Sequence, residues 1–188
     1  VYMGMGEPFQ NYDALIKSIR LLMHPLGMHV GARKITVSTV GDAKGIMQFA
    51  EEPWQVRLSL SLHAATDDAR SALVPLNKKY PLAELYKALQ YYQQRRARQI
   101  TIEYTLLDGV NDAPEQALDL AGFLRGLDAV VNIIPWNPVE ELSYKPSSPR
   151  RVAAFAAALK TAGVKATVRK ERGSDINAAC GQLRALRA

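Results

Sequence analysis

Val130-Val131-Asn132-Ile133-Ile134-Pro135, residues 130–135, reads as a β-strand whose side chains are apolar on both faces. Such strands are typical of a parallel sheet that is covered on both sides. Other β-rich runs recur mostly at intervals of about 30 residues, the size of one βαβ unit. They are Val1–Met5, Lys34–Thr39, Val56–Leu62, Ile100–Leu107 and Ala166–Arg169. The sequence therefore predicts a mostly parallel sheet.

The segments between these runs carry helix signals. They predict helices at Tyr12–Met23, Leu82–Arg96, Pro114 to about Arg125, and Pro149 to Gly163. Predicted N-terminal caps are Asn11 for the first of these helices, Asn111 or Asp112 for the third, and Ser147 or Ser148 for the fourth. Strands that alternate with helices indicate an α/β fold, as an open sheet or a partial barrel. In both architectures, ligands bind beyond the carboxyl ends of the strands.

Length and composition indicate one globular domain, with or without a short extension. The chain has 188 residues, of which 48% are hydrophobic and 22% charged. No apolar run is long enough to span a membrane. The single cysteine excludes an internal disulfide framework and is typical of a reducing compartment. The sequence opens inside a predicted strand, so we expect an amino-terminal part of the protein to be missing.

The basic charge is concentrated near the carboxyl terminus. Residues 142–188 hold ten lysines and arginines against two acids, whereas residues 1–141 hold fourteen against sixteen. A segment of this kind suits a polyanion, with nucleic acid as the first candidate, although a solvated basic face has the same composition.

Polar side chains follow the predicted strands at the points where they end. These are Glu7, Ser38, Ser61, His63 and Asn137. Because the carboxyl ends of neighbouring parallel strands meet at one edge of a sheet, we expect these side chains around one mouth. A carboxylate accepts from an ammonium group, and hydroxyl and amide groups bind ribose or carboxylate. Each residue alone has a structural explanation, but the set predicts a site for a small zwitterionic or nucleoside ligand.

Cys180 lies among small and polar residues, with Arg169, Lys170 and Arg172 upstream. Nearby cations favour the thiolate, which is the nucleophilic form of cysteine. An inert buried thiol explains the same residues, and this pattern alone leaves both interpretations open.

Six ordered motifs resemble those of the radical S-adenosylmethionine (SAM) RNA methyltransferases that methylate C2 of adenosine, the RlmN type. The resemblance covers nearly the whole chain. The motifs are Met3-Gly4-Met5-Gly6-Glu7-Pro8, Ile35-Thr36-Val37-Ser38-Thr39-Val40-Gly41, Ser61-Leu62-His63-Ala64, Leu107-Asp108-Gly109-Val110-Asn111-Asp112, Pro135-Trp136-Asn137-Pro138 and Ala178-Ala179-Cys180-Gly181-Gln182-Leu183.

This resemblance implies a fold, two cofactors and a set of site residues. The fold would be the later part of a partial (βα)6 radical-SAM barrel over residues 1–141. A basic extension over residues 142–188 would carry the catalytic Cys180 loop. The cofactors would be SAM and a [4Fe-4S] cluster. The residues that match SAM contacts are Gly6, Glu7, Ser38, Ser61, Leu62, His63 and Asn137.

The resemblance also implies a mechanism. Cys180 would take a methyl group from one SAM, and a radical made from a second SAM at the cluster would activate that group for addition to adenine C2. The cluster motif CxxxCxxC, a partner cysteine and the accessory RNA-binding domain are absent from this sequence, and cluster cysteines are expected upstream of Val1. Ser174 and Asn177 replace acids that are usual in the family. Because nothing in the 188-residue chain can ligate the cluster, this chain alone is predicted to be inactive.

The implied partners are 23S rRNA, tRNA and an electron donor such as flavodoxin. The implied setting is a cytoplasmic monomer without membrane contact. Alternatives are a non-catalytic RNA-binding relic and the related resistance enzyme that methylates C8 of adenosine. An unrelated α/β protein that binds a sugar or nucleotide would have to match six ordered motifs by chance.

Overall fold

The computed structural model describes residues 1–138 and 142–169, and this part of the chain folds around a five-stranded sheet. The strands are β1 (Thr36–Thr39), β2 (Arg57–Ser61), β3 (Ile100–Leu106), β4 (Ala129–Pro135) and β5 (Lys165–Val168). The α-helices are α1 (Tyr12–Met23), α2 (Ala43–Ala50), α3 (Asp67–Leu73), α4 (Leu82–Arg96), α5 (Pro114–Phe123) and α6 (Pro149–Thr161). Short 3-10 helices lie at Pro8–Asn11, Ala32–Lys34 and Pro75–Lys78. Among these described helices, none is long and apolar enough to cross a lipid bilayer.

The sheet is parallel, and its strand order, β1-β2-β3-β4-β5, follows the chain. Crossovers between parallel strands are right-handed in nearly all proteins, so crossovers that all advance in one direction place their helices on the same face. The side chains of that face form the core, and Leu58, Ile102 and Ile133 are fully buried in it. The predicted α/β fold is confirmed.

The opposite face of the sheet is polar. Ser61, Glu103 and Asn132 lie side by side across β2, β3 and β4 on this face. Val130 and Ile134 share the face and are only partly buried. Within residues 1–138 and 142–169, the prediction of a sheet that is covered on both sides is therefore wrong, because the helices cover one face and these polar side chains lie on the other.

The first predicted strand, Val1–Met5, is reduced to a single parallel bridge between Tyr2 and Val37. The Tyr2 amide donates to the Thr36 carbonyl at 2.8 Å, and the Ser38 amide donates to the Tyr2 carbonyl at 3.0 Å. Gly4 and Gly6 then take φ angles of 137° and 95°, which a regular strand does not allow. The strand prediction is therefore wrong after Tyr2.

The predicted helices are confirmed, with differences at their ends. Tyr12–Met23 and Leu82–Arg96 have the predicted bounds, whereas α5 ends at Phe123. Ser148 caps α6, since its hydroxyl accepts from the Arg151 amide at 3.3 Å. Two cap predictions are wrong: Asn11 makes no side-chain cap bond, and α5 begins after Ala113 rather than after Asn111 or Asp112. The short helices α2 and α3 were not predicted.

Gly45 in α2 allows close contact with Phe9, which lies two residues after Glu7. A Cβ atom at Gly45 would lie 2.4 Å from the Cβ of Phe9, so a larger residue would push Phe9 away. Phe9 is 6% exposed and packs on Phe49 at a ring-centroid distance of 5.5 Å. This contact holds the turn that contains Glu7 against the helix layer.

Candidate active site

A cleft of about 390 Å³ lies at the carboxyl ends of β1 and β2. Its volume is within the range of small-molecule sites. The predicted site residues Gly6, Glu7, Ser38 and Ser61 all line it, and the rest of its wall is formed by Tyr2, Met3, Gly4, Met5, Pro8, Asn11, Thr39 and Val40. Four of the seven predicted binding residues are therefore brought together.

Glu7 presents a fixed carboxylate to this cleft. One oxygen accepts from the Thr39 hydroxyl at 2.9 Å and from the Phe9 amide at 3.2 Å, and the other accepts from the Val40 amide at 2.8 Å. Burial raises the pKa of Glu7, although these hydrogen bonds act in the opposite direction. A carboxylate oriented by three donors can still accept from the ammonium group of a ligand through its remaining lone pairs.

The glycines beside Glu7 leave the cleft open to a ligand. A Cβ atom built on Gly4 or Gly6 would meet no atom within 4 Å. Both residues have positive φ angles, so other residues would be strained there. The backbone groups of this turn are therefore accessible, and a zwitterionic ligand such as SAM fits the donor and acceptor set of the cleft.

Arg70 in α3 links the two strand ends that form the cleft, and sequence reasoning missed it. Its guanidinium is fully buried and donates to the Val40 carbonyl after β1, to the Leu62 carbonyl after β2, and to the Asn77 side chain. Asn77 in turn donates to Asp67. Burial lowers the pKa of Arg70 to about 10, so the side chain stays protonated at neutral pH. An arginine in a short helix resembles a surface residue, so no pattern in the sequence distinguishes Arg70 from an exposed arginine.

His63 is held at the end of β2 by the neighbouring strand. Its Nδ1 atom accepts from the Thr105 amide at 3.1 Å, and its backbone has a φ of 62°. Burial and the nearby Arg70 charge lower the pKa of His63 from 6.5 to about 4. The imidazole is therefore neutral at pH 7, with its proton on Nε2 because Nδ1 is an acceptor.

The stability of the fold should depend on pH through His63. In the unfolded chain, His63 is protonated below about pH 6.5, whereas in the folded chain it is protonated only below about pH 4. The free energy of unfolding therefore decreases as the pH falls through this interval. After allowance for its partial exposure, the loss from this group should be about 1–2 kcal/mol. His63→Asn keeps an acceptor near the Nδ1 position and tolerates positive φ. Urea unfolding between pH 7 and 4.5 should show a smaller loss in this variant; parallel curves for the two proteins would contradict the prediction.

Asn111 connects the carboxyl ends of β2 and β3. It is fully buried and donates to the His63 carbonyl at 2.8 Å and to the Thr105 carbonyl at 2.7 Å. Its oxygen accepts from the Leu107 amide at 2.7 Å. The residue was predicted as a helix cap, but its partners lie in the strand ends.

Asp112 connects the same loop to α6. It accepts two hydrogen bonds from the Arg151 guanidinium. Burial alone would raise the pKa of Asp112, but the hydrogen bond and charge of Arg151 hold it below its usual value. The loop after β3 is therefore fixed to both β2 and α6.

Glu103 is a second carboxylate that sequence reasoning did not single out. It lies on the polar face of β3, is 7% exposed, and accepts from the Ser59 hydroxyl at 3.2 Å and the Asn132 amide at 2.7 Å. The alternation of side chains along β3 could have predicted that Glu103 lies on the polar face. It could not have predicted its hydrogen-bond partners, because they lie on β2 and β4.

The remaining predicted site residues do not line the cleft. The Leu62 side chain is fully buried in the core, so only its backbone could reach a ligand. His63 and Asn137 lie at the ends of β2 and β4, outside the lining of the cleft. Cys180 lies outside the described residues.

The residues present do not fit an iron–sulfur cluster. Within residues 1–138 and 142–169 there is no group of three His, Cys, Asp or Glu side chains that could hold a metal. The whole sequence contains one cysteine, whereas [4Fe-4S] clusters are held mainly by several cysteine thiolates. The ligands of a cluster would therefore have to come from outside these 188 residues.

Comparison with known proteins identifies the family. The model of the radical SAM superfamily matches residues 1–121, which include the cleft, Arg70 and Glu103. The chain belongs to the radical SAM superfamily. Radical SAM proteins use SAM and a [4Fe-4S] cluster. The parallel five-stranded sheet with its helices matches the radical SAM partial barrel.

Curated relatives match nearly the whole chain. A protein of Sorangium cellulosum named "Dual-specificity RNA methyltransferase RlmN" is 52% identical over 97% of this chain and 47% of its own length. A Geobacillus kaustophilus protein named "Probable dual-specificity RNA methyltransferase RlmN" is 50% identical over 98% of this chain and 51% of its own length. The chain thus spans about half the length of these relatives.

A solved structure has the same fold. The crystal structure of a radical SAM methyltransferase from Sphaerobacter thermophilus superimposes with a TM-score of 0.93 at 50% identity, over 96% of this chain and 53% of that one. The partial-barrel prediction is therefore confirmed for the described residues.

Proposed function

We propose that this chain is the SAM-binding part of a radical SAM methyltransferase that acts on C2 of adenosine in 23S rRNA and in tRNA. The observation that carries the proposal is the cleft in which Gly6, Glu7, Ser38 and Ser61 meet, in a chain about 50% identical to proteins named as dual-specificity RNA methyltransferases. Because those relatives are about twice as long, the activity is proposed for a protein of full family length.

The residues of the cleft bind and orient SAM in this proposal. The Glu7 carboxylate accepts from the ammonium group, and the open turn at Gly4 and Gly6 lets backbone groups approach it. The hydroxyls of Ser38 and Ser61 bind the polar atoms of the ligand, and His63 and Asn137 contact its far end. SAM, when bound, supplies the methyl group.

Cys180 is the methyl carrier in the proposed function, and the basic region over residues 142–188 contacts RNA. The target adenine has to leave its stack to reach this cysteine. The proposal includes a cytoplasmic location for the full-length protein, a monomeric state, and an electron donor such as flavodoxin.

The test is the identity of the methylated base. The full-length protein is reduced anaerobically with SAM and 23S rRNA or tRNA, and digested RNA is analysed for methyladenosine isomers. We expect 2-methyladenosine, together with a peptide that carries one methyl group on Cys180. Formation of 8-methyladenosine would identify the resistance-enzyme alternative, and RNA binding without methylation would support the non-catalytic relic.

The 188-residue chain alone is the matched control for that experiment. We expect it to produce no methyladenosine under the same conditions, because one cysteine cannot ligate the cluster. Methylated RNA from the chain alone would contradict this expectation.

A further inference from the structure

An aromatic pair lies at the carboxyl end of β4, apart from the cleft. Trp136 directly follows the strand and meets Tyr144 edge to face, with ring centroids 6.1 Å apart and an interplanar angle of 87°. The Trp136 indole nitrogen donates to the Tyr144 carbonyl at 3.2 Å. Both side chains are half-buried. An edge-to-face pair leaves at least one ring face uncovered by its partner.

The segment that carries Tyr144 is anchored to the end of β3. Pro146 forms an antiparallel bridge with Leu107, and the Asp108 amide donates to the Lys145 carbonyl at 2.9 Å. The Arg151–Asp112 pair fixes the start of α6 to the same loop. The aromatic pair is therefore held by two strands and a helix, which lowers the entropic cost of ligand binding.

Basic residues lie beside Tyr144 in the sequence. Residues 142–151 contain Lys145, Arg150 and Arg151 and no acid, and Lys145 and Arg150 are exposed. Arg151 is engaged by Asp112, so Lys145 and Arg150 are the cations available to a phosphate backbone. Aromatic rings beside basic side chains are the combination by which proteins bind unpaired nucleotides.

We propose that Trp136 and Tyr144 form a stacking platform for an unpaired base of the RNA substrate. This inference rests on the proposed function and adds a base-binding site that the sequence motifs did not assign. Neither aromatic residue lines the cleft, and Trp136 is three strand spacings, or about 14 Å, from β1 across the sheet. The pair is therefore separate from the residues that line the cleft, and a base stacked on it would lie beside the cofactor.

Tryptophan fluorescence of the 188-residue chain provides the test. The second tryptophan, Trp54, precedes β2 at the opposite end of the strands, with the Arg20 guanidinium 5.4 Å from its ring centre. Trp54→Phe leaves Trp136 as the only tryptophan, and Trp136→Phe leaves Trp54 as the matched control. Single-stranded oligoadenylate should quench Trp136 saturably and leave Trp54 unchanged. An abasic oligomer of equal charge should quench neither.

Substitution then measures the contribution of the ring. Trp136→Leu should weaken oligoadenylate binding about five- to one hundred-fold, the range expected for loss of one stacked base. Trp136→Phe should retain most of the affinity. Thermal unfolding shows whether each variant is folded. The difference in oligoadenylate affinity between Trp136→Phe and Trp136→Leu tests stacking even if both variants are less stable than the wild type.

Several results would overturn the proposal. They are equal quenching by the abasic oligomer, equal affinities for the Phe and Leu variants, and quenching of Trp136 by SAM but not by oligoadenylate. The assay needs neither cluster nor methyl transfer. Base binding without methylation by the full-length protein would therefore refute only the proposed function, and methylation without quenching of Trp136 would refute only the platform.

Discussion

Arg70→Met is expected to lower the free energy of unfolding by about 3–5 kcal/mol. The substitution keeps most of the apolar volume but leaves the Val40 and Leu62 carbonyls and the Asn77 side chain without their donor. A buried acceptor without a partner costs about 1–3 kcal/mol, and the environment is fully buried. Urea unfolding of the 188-residue chain at pH 7 measures the effect.

Two variants make this experiment specific. Arg33→Met changes an exposed arginine of the 3-10 helix before β1 and should alter stability by less than about 0.5 kcal/mol. Arg70→Lys should fall between the wild type and Arg70→Met, because an ammonium group cannot reach the three acceptors with the geometry of a guanidinium. Equal unfolding free energies for Arg70→Met and Arg33→Met would show that Arg70 does not hold the two strand ends.

Glu7→Gln is expected to weaken SAM binding by the full-length protein about 10- to 100-fold, the value of one charged hydrogen bond. The amide can still accept from the Val40 amide, so the turn around it should remain folded. The glutamine side chain lacks the negative charge that attracts the ammonium group of the ligand. Its NH2 group would also take the place of the oxygen that accepts from the Thr39 hydroxyl and the Phe9 amide, so these donors would lose their acceptor. Equilibrium dialysis with labelled SAM measures the change.

Glu115→Gln is the matched control for this prediction. Glu115 is an exposed acid in the first turn of α5, outside the lining of the cleft. Its replacement changes the net charge equally and should leave SAM affinity within about two-fold, as for most exposed surface substitutions. If the two variants bind SAM alike, the Glu7 carboxylate is not the ammonium acceptor.

Local patterns predicted the elements of the fold well, and their failures have local causes. Tyr12–Met23 and Leu82–Arg96 were predicted at their observed bounds because apolar spacing and helix-forming residues agree there. The short helices α2 and α3 were missed because seven or eight residues give little periodicity. The first strand failed at Gly4 and Gly6, whose positive φ angles were not deduced from the sequence.

The candidate site was predicted in part, and the part that succeeded follows from topology. Gly6, Glu7, Ser38 and Ser61 follow adjacent parallel strands, so their convergence is fixed once the strand order is known. The positions of Leu62, His63 and Asn137 depend on which face each residue takes and on how far its strand lies from β1. The sequence motif alone does not contain this information.

The sequence by itself determined the alternation of strands and helices, the polar residues at the strand ends and the family motifs, because these depend on residue type and local spacing. Only the tertiary structure decided the roles of Arg70, Asn111 and Glu103. Each is defined by hydrogen bonds to groups on other strands: Arg70 to Val40 and Leu62, Asn111 to His63, and Glu103 to Ser59 and Asn132. A buried polar group takes its function from the partners that satisfy it, and those partners meet only when the chain is folded.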